Sequence, residues 1–131
     1  MGDSGNSSES HKKVANSITF SFDDGGIEDI VVINSLRKFC LTATFYLISN
    51  RTNLSVYGFR DMDSIRELYS DMEVGCHSKN HPQFNLIDVT KWHEEIYSSR
   101  CDLLNIFNKT QKIRCFAYQM NTFVPGMESV L

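Results

Sequence analysis

The chain has 131 residues, 41% of them hydrophobic, and a formal net charge of −3. That length suits one domain with a packed core, and the lack of a basic stripe argues against nucleic-acid binding through phosphate neutralisation. No apolar run exceeds the four residues of Phe45 to Ile48, far short of the about 20 residues that span a bilayer, so no membrane partner is expected.

The first residues, MGDSGNSSESHKK, are rich in Ser, Gly and charge and contain no apolar stretch. Residues 1–15 are read as a disordered leader, neither a signal peptide nor a transit peptide. Without an export signal the chain reads as cytoplasmic as written. Residues 16–131 are read as the domain.

Ile18 to Phe22 (ITFSF) is a short β-rich run, expected as the first strand and ended by Gly25-Gly26. From Ile27 to Phe39 apolar residues fall at helical spacing, with Glu28 and Asp29 in a first turn where the helix dipole favours them. Thr42 to Ile48 (TATFYLI) is β-branched, aromatic and uninterrupted, as a strand requires. Ser49 to Arg60 is polar and expected as a loop. Asp63 or Ser64 is expected to cap a short helix running through Tyr69. Glu73 to Cys76 forms a third strand, and His77 opens the loop beyond it. Asp88 to Phe107 is the longest helix, with Trp92 on its apolar face and in the core. Ile113 to Tyr118 is a fourth strand. No element is expected after Thr122. Cys40, Cys76, Cys101 and Cys115 contain no C-x-x-C pair and are read as free buried thiols.

Strands alternating with helices predict a parallel sheet with right-handed crossovers. Two polar segments then leave the C-terminal ends of strands, where such sheets place their chemistry. One is Asp23-Asp24-Gly25-Gly26. The other is His77-Ser78-Lys79-Asn80-His81-Pro82. Catalytic zinc takes three protein ligands from His, Asp or Glu and keeps one position for water. One Asp and two His fill that set, and the second Asp is left as a general base. The i, i+4 spacing of His77 and His81 is expected to place both rings on one side of a helical turn. Two His and one carboxylate also suit a non-haem iron oxygenase, but the H-x-x-x-H spacing and the spare Asp fit hydrolysis better. Tyr46, Phe84, Phe116 and Tyr118 are aromatics able to stack on sugar rings, and only Tyr118 is kept as a groove candidate, because core packing is the commoner role.

Thr19 to Gly26 (TFSFDDGG) resembles the first motif of the NodB-like polysaccharide deacetylases, carbohydrate esterase family 4. Glu73 to Pro82 (EVGCHSKNHP) resembles the second, which carries H-[ST]-x-x-H, and Ala43 to Leu47 (ATFYL) is similar to the family's second strand. Phe116 to Asn121 (FAYQMN) stands where a third motif belongs. The resemblance implies a distorted (β/α) barrel, here a partial one of about four parallel strands with helices. It implies a hydrolase acting on carbon–nitrogen bonds, removing acetyl groups from chitin, peptidoglycan or poly-N-acetylglucosamine. Asp23 would be the general base. Asp24, His77 and His81 would hold a divalent metal, zinc first, with cobalt or nickel as alternatives. The backbone amide near Met120 would meet the oxyanion, and Tyr118 would line the groove. Family members often act outside the cytoplasm.

The chain departs from the pattern in three ways. Ala117 stands where many members have an Arg, and Gln119, Met120 and Asn121 replace an expected Pro, aromatic and Gly. The D-x-x-D-W-like segment and the L-x-H segment with its general acid are missing, and His93 on the long helix is a poor substitute. The length is also short of the 200 or more residues, roughly, of a full barrel. An open half-barrel leaves an unpaired strand edge. The expectation is therefore a truncated deacetylase, a fragment, or one member of an oligomer that covers the edge. The rival is an inactive remnant that binds carbohydrate or a protein partner.

Overall fold

The computed structural model describes residues 17–51 and 61–130. The leader expected over residues 1–15, and most of the loop expected between Ser49 and Arg60, lie outside the described residues.

Three strands form one parallel sheet in the order β1-β2-β3: β1 (Ser21–Asp24), β2 (Thr44–Leu47) and β3 (Glu73–Cys76). Helix α1 (Asp29–Lys38) connects β1 to β2, α2 (Met62–Leu68) precedes β3, and α3 (Val89–Ile106) follows it. In β2 the alternation of the sequence becomes alternation of burial, with Phe45 and Leu47 inside and Thr44 and Tyr46 half-buried. Val74 and Cys76 of β3 and Ile33 and Leu36 of α1 complete that face with Tyr69, Leu103 and Phe107. A second apolar cluster joins Phe84, Trp92, Ile96 and Met127. Trp92 is thus core, as expected, and its Nε1–H donates to the Phe84 carbonyl at 3.2 Å.

Four expectations need correction. Strand β1 starts at Ser21 and takes in both aspartates, whereas Ile18 is 82% exposed. The reason is pairing: Ser21 lies opposite Thr44, the first residue of β2, and the ladder ends with the Phe20 carbonyl, which accepts from Thr44 N–H at 3.1 Å. The cap of α2 is Asp61, whose carboxylate accepts from Ser64 N–H at 2.7 Å. Ser64 is the third helical residue, the position an N-cap side chain reaches, and Asp63 pairs instead with Arg66 at 2.6 Å. The fourth strand is reduced to a single parallel bridge between Cys76 and Phe116. On either side of that bridge the next acceptor is already engaged, the Ile113 carbonyl by Arg100 Nε and the Ala117 carbonyl by His77 Nδ1. Finally, the chain beyond Thr122 is not featureless. A short 3₁₀ turn (Met127–Val130) buries Met127 fully in the second cluster.

The long helix agrees closely with its sequence pattern: Asp88 caps it through Thr90 N–H at 2.8 Å, and Phe107 ends it. Of the cysteines, all free, only Cys76 is buried and Cys40 is exposed. Gly75 fixes the spacing within the sheet. A Cβ there would lie 2.6 Å from Tyr46 Cδ1 and 2.7 Å from Cys115 Sγ, so any side chain would have to displace the Tyr46 ring and the Cys115 thiol.

Candidate metal centre

Asp24, Leu47 and Cys76 form the last rung of the sheet. Neighbouring strands lie about 4.8 Å apart, so β1 and β3 are separated by roughly twice that, with β2 between them. The gap is closed by side chains reaching over the end of β2. Asp24 Oδ1 lies 3.4 Å from His77 Nε2 and 3.2 Å from His81 Nε2. One potential ligand atom from each of the three residues lies within 4.8 Å of the other two. The two imidazoles are 5.1 Å apart between centroids, with their planes inclined at 59°.

The backbone around these residues is unusual. Asp24 and Gly25 both have left-handed φ, 75° and 72°. An Asp tolerates that region better than most residues, and it breaks the strict alternation that would send Asp23 and Asp24 to opposite faces of a strand. The histidine segment is a loop and not the expected helical turn. Ser78 and His81 have φ of 61° and 57°, and the His81 N–H donates to Ser78 Oγ at 3.0 Å. The two rings meet through this tight loop, not through helical periodicity.

His77 is buried, its side chain 3% exposed. Its Nδ1 faces the Ala117 carbonyl at 2.9 Å. A carbonyl only accepts, so Nδ1 carries a proton and Nε2, the nitrogen facing Asp24, is the one left to serve as a ligand atom. This is the outer-shell arrangement that fixes a metal-binding imidazole. The position expected to carry an Arg thus contributes through its backbone.

The donor set fits a small divalent cation. Zinc bonds of about 2.0–2.1 Å at tetrahedral angles place ligand atoms about 3.3–3.4 Å apart. The two Asp24–imidazole separations, 3.4 and 3.2 Å, match that edge. The Asp24 side chain is 53% exposed, which leaves one side open to solvent or substrate. Cys76, next to His77 in sequence, is not a comparable donor. Burial pushes its thiol up to about 11, so it stays protonated and neutral near pH 7.

The remaining sequence candidates surround this cluster without joining it. Asp23 is exposed, one rung back and opposite Tyr46. Met120 is 59% exposed with φ 50°, and Gln83 Nε2, two residues beyond His81, donates to its sulfur at 3.1 Å. Tyr118 is half-buried between Phe116 and Phe123, with ring centroids at 5.3 and 5.5 Å. Burial, and then the charge of Glu128, raises its phenol pKa. Phe84 is fully buried, and Tyr46 packs against Gly75 and Cys115, so both serve packing. His93 is exposed on α3 with its ring stacked on Tyr97 at 5.2 Å.

Sequence reasoning missed two supports. One is the Ala117 carbonyl, which no side-chain motif can reveal. The other is Asp29, buried at the start of α1, whose Oδ2 accepts from Tyr69 OH at 2.6 Å and from Gly26 N–H at 3.4 Å. It ties the turn after Asp24 to the end of α2. Burial, the largest effect, raises the Asp29 pKa above its usual value despite these bonds. Its signal in the sequence was read only as dipole complementarity.

Residues 10–122 match the family model for polysaccharide deacetylase. The Streptococcus pyogenes deacetylase PplD, solved in complex with acetate, is similar in structure with a TM-score of 0.76 at 21% identity, over 86% of this chain and 50% of that one. The peptidoglycan deacetylase PdaC from Bacillus subtilis gives 0.65 at 22% identity, over 85% and 52%. A carbohydrate esterase family 4 pseudoenzyme from Bacillus anthracis gives 0.70 at 19%, over 86% and 38%. The chain therefore spans about half of these proteins, or less. The likeness carries the fold: an α/β, partial (β/α) barrel of the polysaccharide deacetylase type. No curated protein matches the sequence. No described helix is long and apolar enough to cross a membrane.

Proposed function

The chain belongs to the polysaccharide deacetylase family, and from that premise we propose that it is a metal-dependent hydrolase removing acetyl groups from an N-acetylated glycan. The single observation that carries this reading is the convergence of Asp24, His77 and His81 at the C-terminal end of the sheet, their ligand atoms within 4.8 Å of one another. Those three residues would hold zinc, or cobalt or nickel. Glycans of the chitin, peptidoglycan or poly-N-acetylglucosamine type supply the substrate class.

When bound, such a cation polarises the acetyl carbonyl and lowers the pKa of a water molecule to about 7 in favourable sites. Asp23 is assigned the proton from that water, as an exposed carboxylate one residue from a ligand. His77 holds its Nε2 lone pair forward through its bond to Ala117. The Met120 amide is assigned to the developing oxyanion, where one donor is typically worth about 3 kcal/mol of barrier. Tyr118 lines the groove. Among the described histidines, His77 and His81 are ligands and His93 stacks on Tyr97, so protonation of the leaving amine falls to a group outside this set.

A second reading is a remnant that binds glycan or a partner without turnover. It is favoured by the presence of a pseudoenzyme among the similar solved structures. The exposed apolar residues beside β1, among them Phe20, Val31, Phe39 and Leu41, are where a second copy would cover the open edge.

Calorimetric titration with zinc should show binding that His77→Ala and His81→Ala each abolish. Asp23→Ala should keep the metal and lose acetate release from N-acetylglucosamine oligomers. Absence of zinc, cobalt and nickel binding in the unaltered protein would remove the metal assignment. Glycan binding without acetate release would replace the first reading with the second.

A further inference from the structure

The histidine loop is held from outside. Between His77 and His81 lie three residues, and α3 or the turn after β2 grips each of them. Glu95 Oε2 accepts from the backbone N–H of Lys79 at 3.1 Å and of Asn80 at 2.8 Å, while its Oε1 accepts from Asn80 Nδ2 at 2.6 Å. One turn further along α3, Ser99 Oγ–H donates to the Ser78 carbonyl at 3.0 Å. Asp102 Oδ2 accepts from Ser49 Oγ at 3.1 Å and lies 3.7 Å from Lys79 Nζ. The turn after β2 closes the other side: Ser49 N–H donates to Ser78 O, Asn50 N–H to Lys79 O, and Asn50 Nδ2 to Asn80 Oδ1 at 2.7 Å.

Residues 95, 99 and 102 follow the four-and-three spacing that places side chains on one helix face. That face is polar where it meets the loop, although a helix against a core is ordinarily apolar there. Glu95 is the central member. A carboxylate bonded to two successive backbone amides makes charge-assisted bonds and fixes the chain direction between the histidines. The left-handed conformations at Ser78 and His81 persist only when their surroundings determine them.

We propose that Glu95 is a positioning residue of the metal centre: it sets the distance between the two imidazoles by clamping the loop that carries them. The proposal rests on the metal reading given above. The Glu95 bonds given above run to the loop backbone and to Asn80. Partners bonded directly to a ligand typically change metal affinity by about 10–100-fold when removed, and a clamp on the loop that carries both ligands is expected to act within the same range.

The test compares four proteins by zinc calorimetry and by exchange of the Lys79 and Asn80 amide hydrogens: the unaltered chain, Glu95→Ala, Glu95→Gln, and Glu95→Gln combined with Asn80→Asp. Glu95→Ala should weaken zinc binding about 10–100-fold and speed exchange at both amides, with exchange in β2 and β3 unchanged. Glu95→Gln keeps an acceptor for the amides but turns an NH₂ group against that of Asn80, so it should weaken binding. The double variant restores donor-to-acceptor order, since the new carboxylate at position 80 accepts from position 95 and from Asn50. It should recover most of the lost affinity, a recovery that a loss of general stability would not produce. Unaltered zinc affinity in Glu95→Ala, or a double variant no better than Glu95→Gln alone, would overturn the proposal. If the unaltered chain takes up no zinc, the metal reading fails, and amide exchange still decides the clamp: unchanged protection at Lys79 and Asn80 overturns it.

Discussion

Asp24 enters the candidate metal centre from an edge strand with half its side chain exposed, whereas His77 and His81 enter from a loop whose interior is hydrogen-bonded on two sides. The histidine arm is fixed by side chains of a distant element, α3. The carboxylate arm is fixed by its own backbone, through two successive left-handed residues, and by one buried pair, Asp29 and Tyr69. Its rigidity therefore rests on few interactions, each costly to lose. The histidine arm spreads its support over many bonds, so single losses should be milder.

The sharpest way to break this contrast lies at Gly25. Its φ is 72°, and a Cβ would meet Leu47 Cδ2 at 2.7 Å. Gly25→Ala combines an unfavourable conformation with overpacking and should cost about 2–6 kcal/mol taken together, read as a lower urea midpoint.

Tyr69→Phe comes next. It removes the hydroxyl that donates to Asp29 and should cost about 1–3 kcal/mol. The sign of its pH dependence follows from Asp29, whose pKa is raised in the folded state. A raised carboxyl contributes stability that is present below its unfolded pKa and lost as pH rises through the folded value. Tyr69 opposes that rise in pKa, so its removal should hurt more at pH 7 than at pH 3. Urea curves at the two pH values would show this, and an equal penalty at both would contradict the Asp29 assignment.

On the histidine arm, Ser99→Ala should cost only about 1 kcal/mol, because the Ser78 carbonyl still accepts from Ser49 N–H at 3.2 Å. A loss as large as that of Gly25→Ala would erase the distinction between the two arms. The smallest effect belongs to the far end of α1, where Arg37 pairs with Asp71 at 2.6 Å. Both side chains are substantially exposed, so Asp71→Asn should cost at most about 1 kcal/mol, less at high salt. The bond to Arg37 lowers the Asp71 pKa. That contribution is present above the unfolded pKa and fades as pH falls through the folded one. The difference between the variant and the unaltered chain should therefore shrink in acid.

Particular residues show how much was legible in advance. β3 and α3 were readable because hydrophobic run, cap and helical period agree there, from Glu73 to Cys76 and from Asp88 to Phe107. The fourth strand was misread because Ile113 to Tyr118 has a strand's composition but loses its ladder to Arg100, a competitor that composition does not reveal. The cap of α2 was misplaced by two or three residues, since Asp61, Asp63 and Ser64 are all capable caps and only backbone geometry selects one. Met127 was missed because a single buried methionine has no period.

The sequence by itself determined the candidate ligand types, their order and their positions at strand ends, because strands and the turns after them are local and their residue preferences are strong. Only the tertiary structure decided that three potential ligand atoms converge over the end of β2, that His77 turns Nε2 toward Asp24, and that α3 grips the loop between the histidines. Those facts depend on backbone carbonyls and amides, which every residue carries alike. A distant helix must be folded into place before its carboxylate can find them.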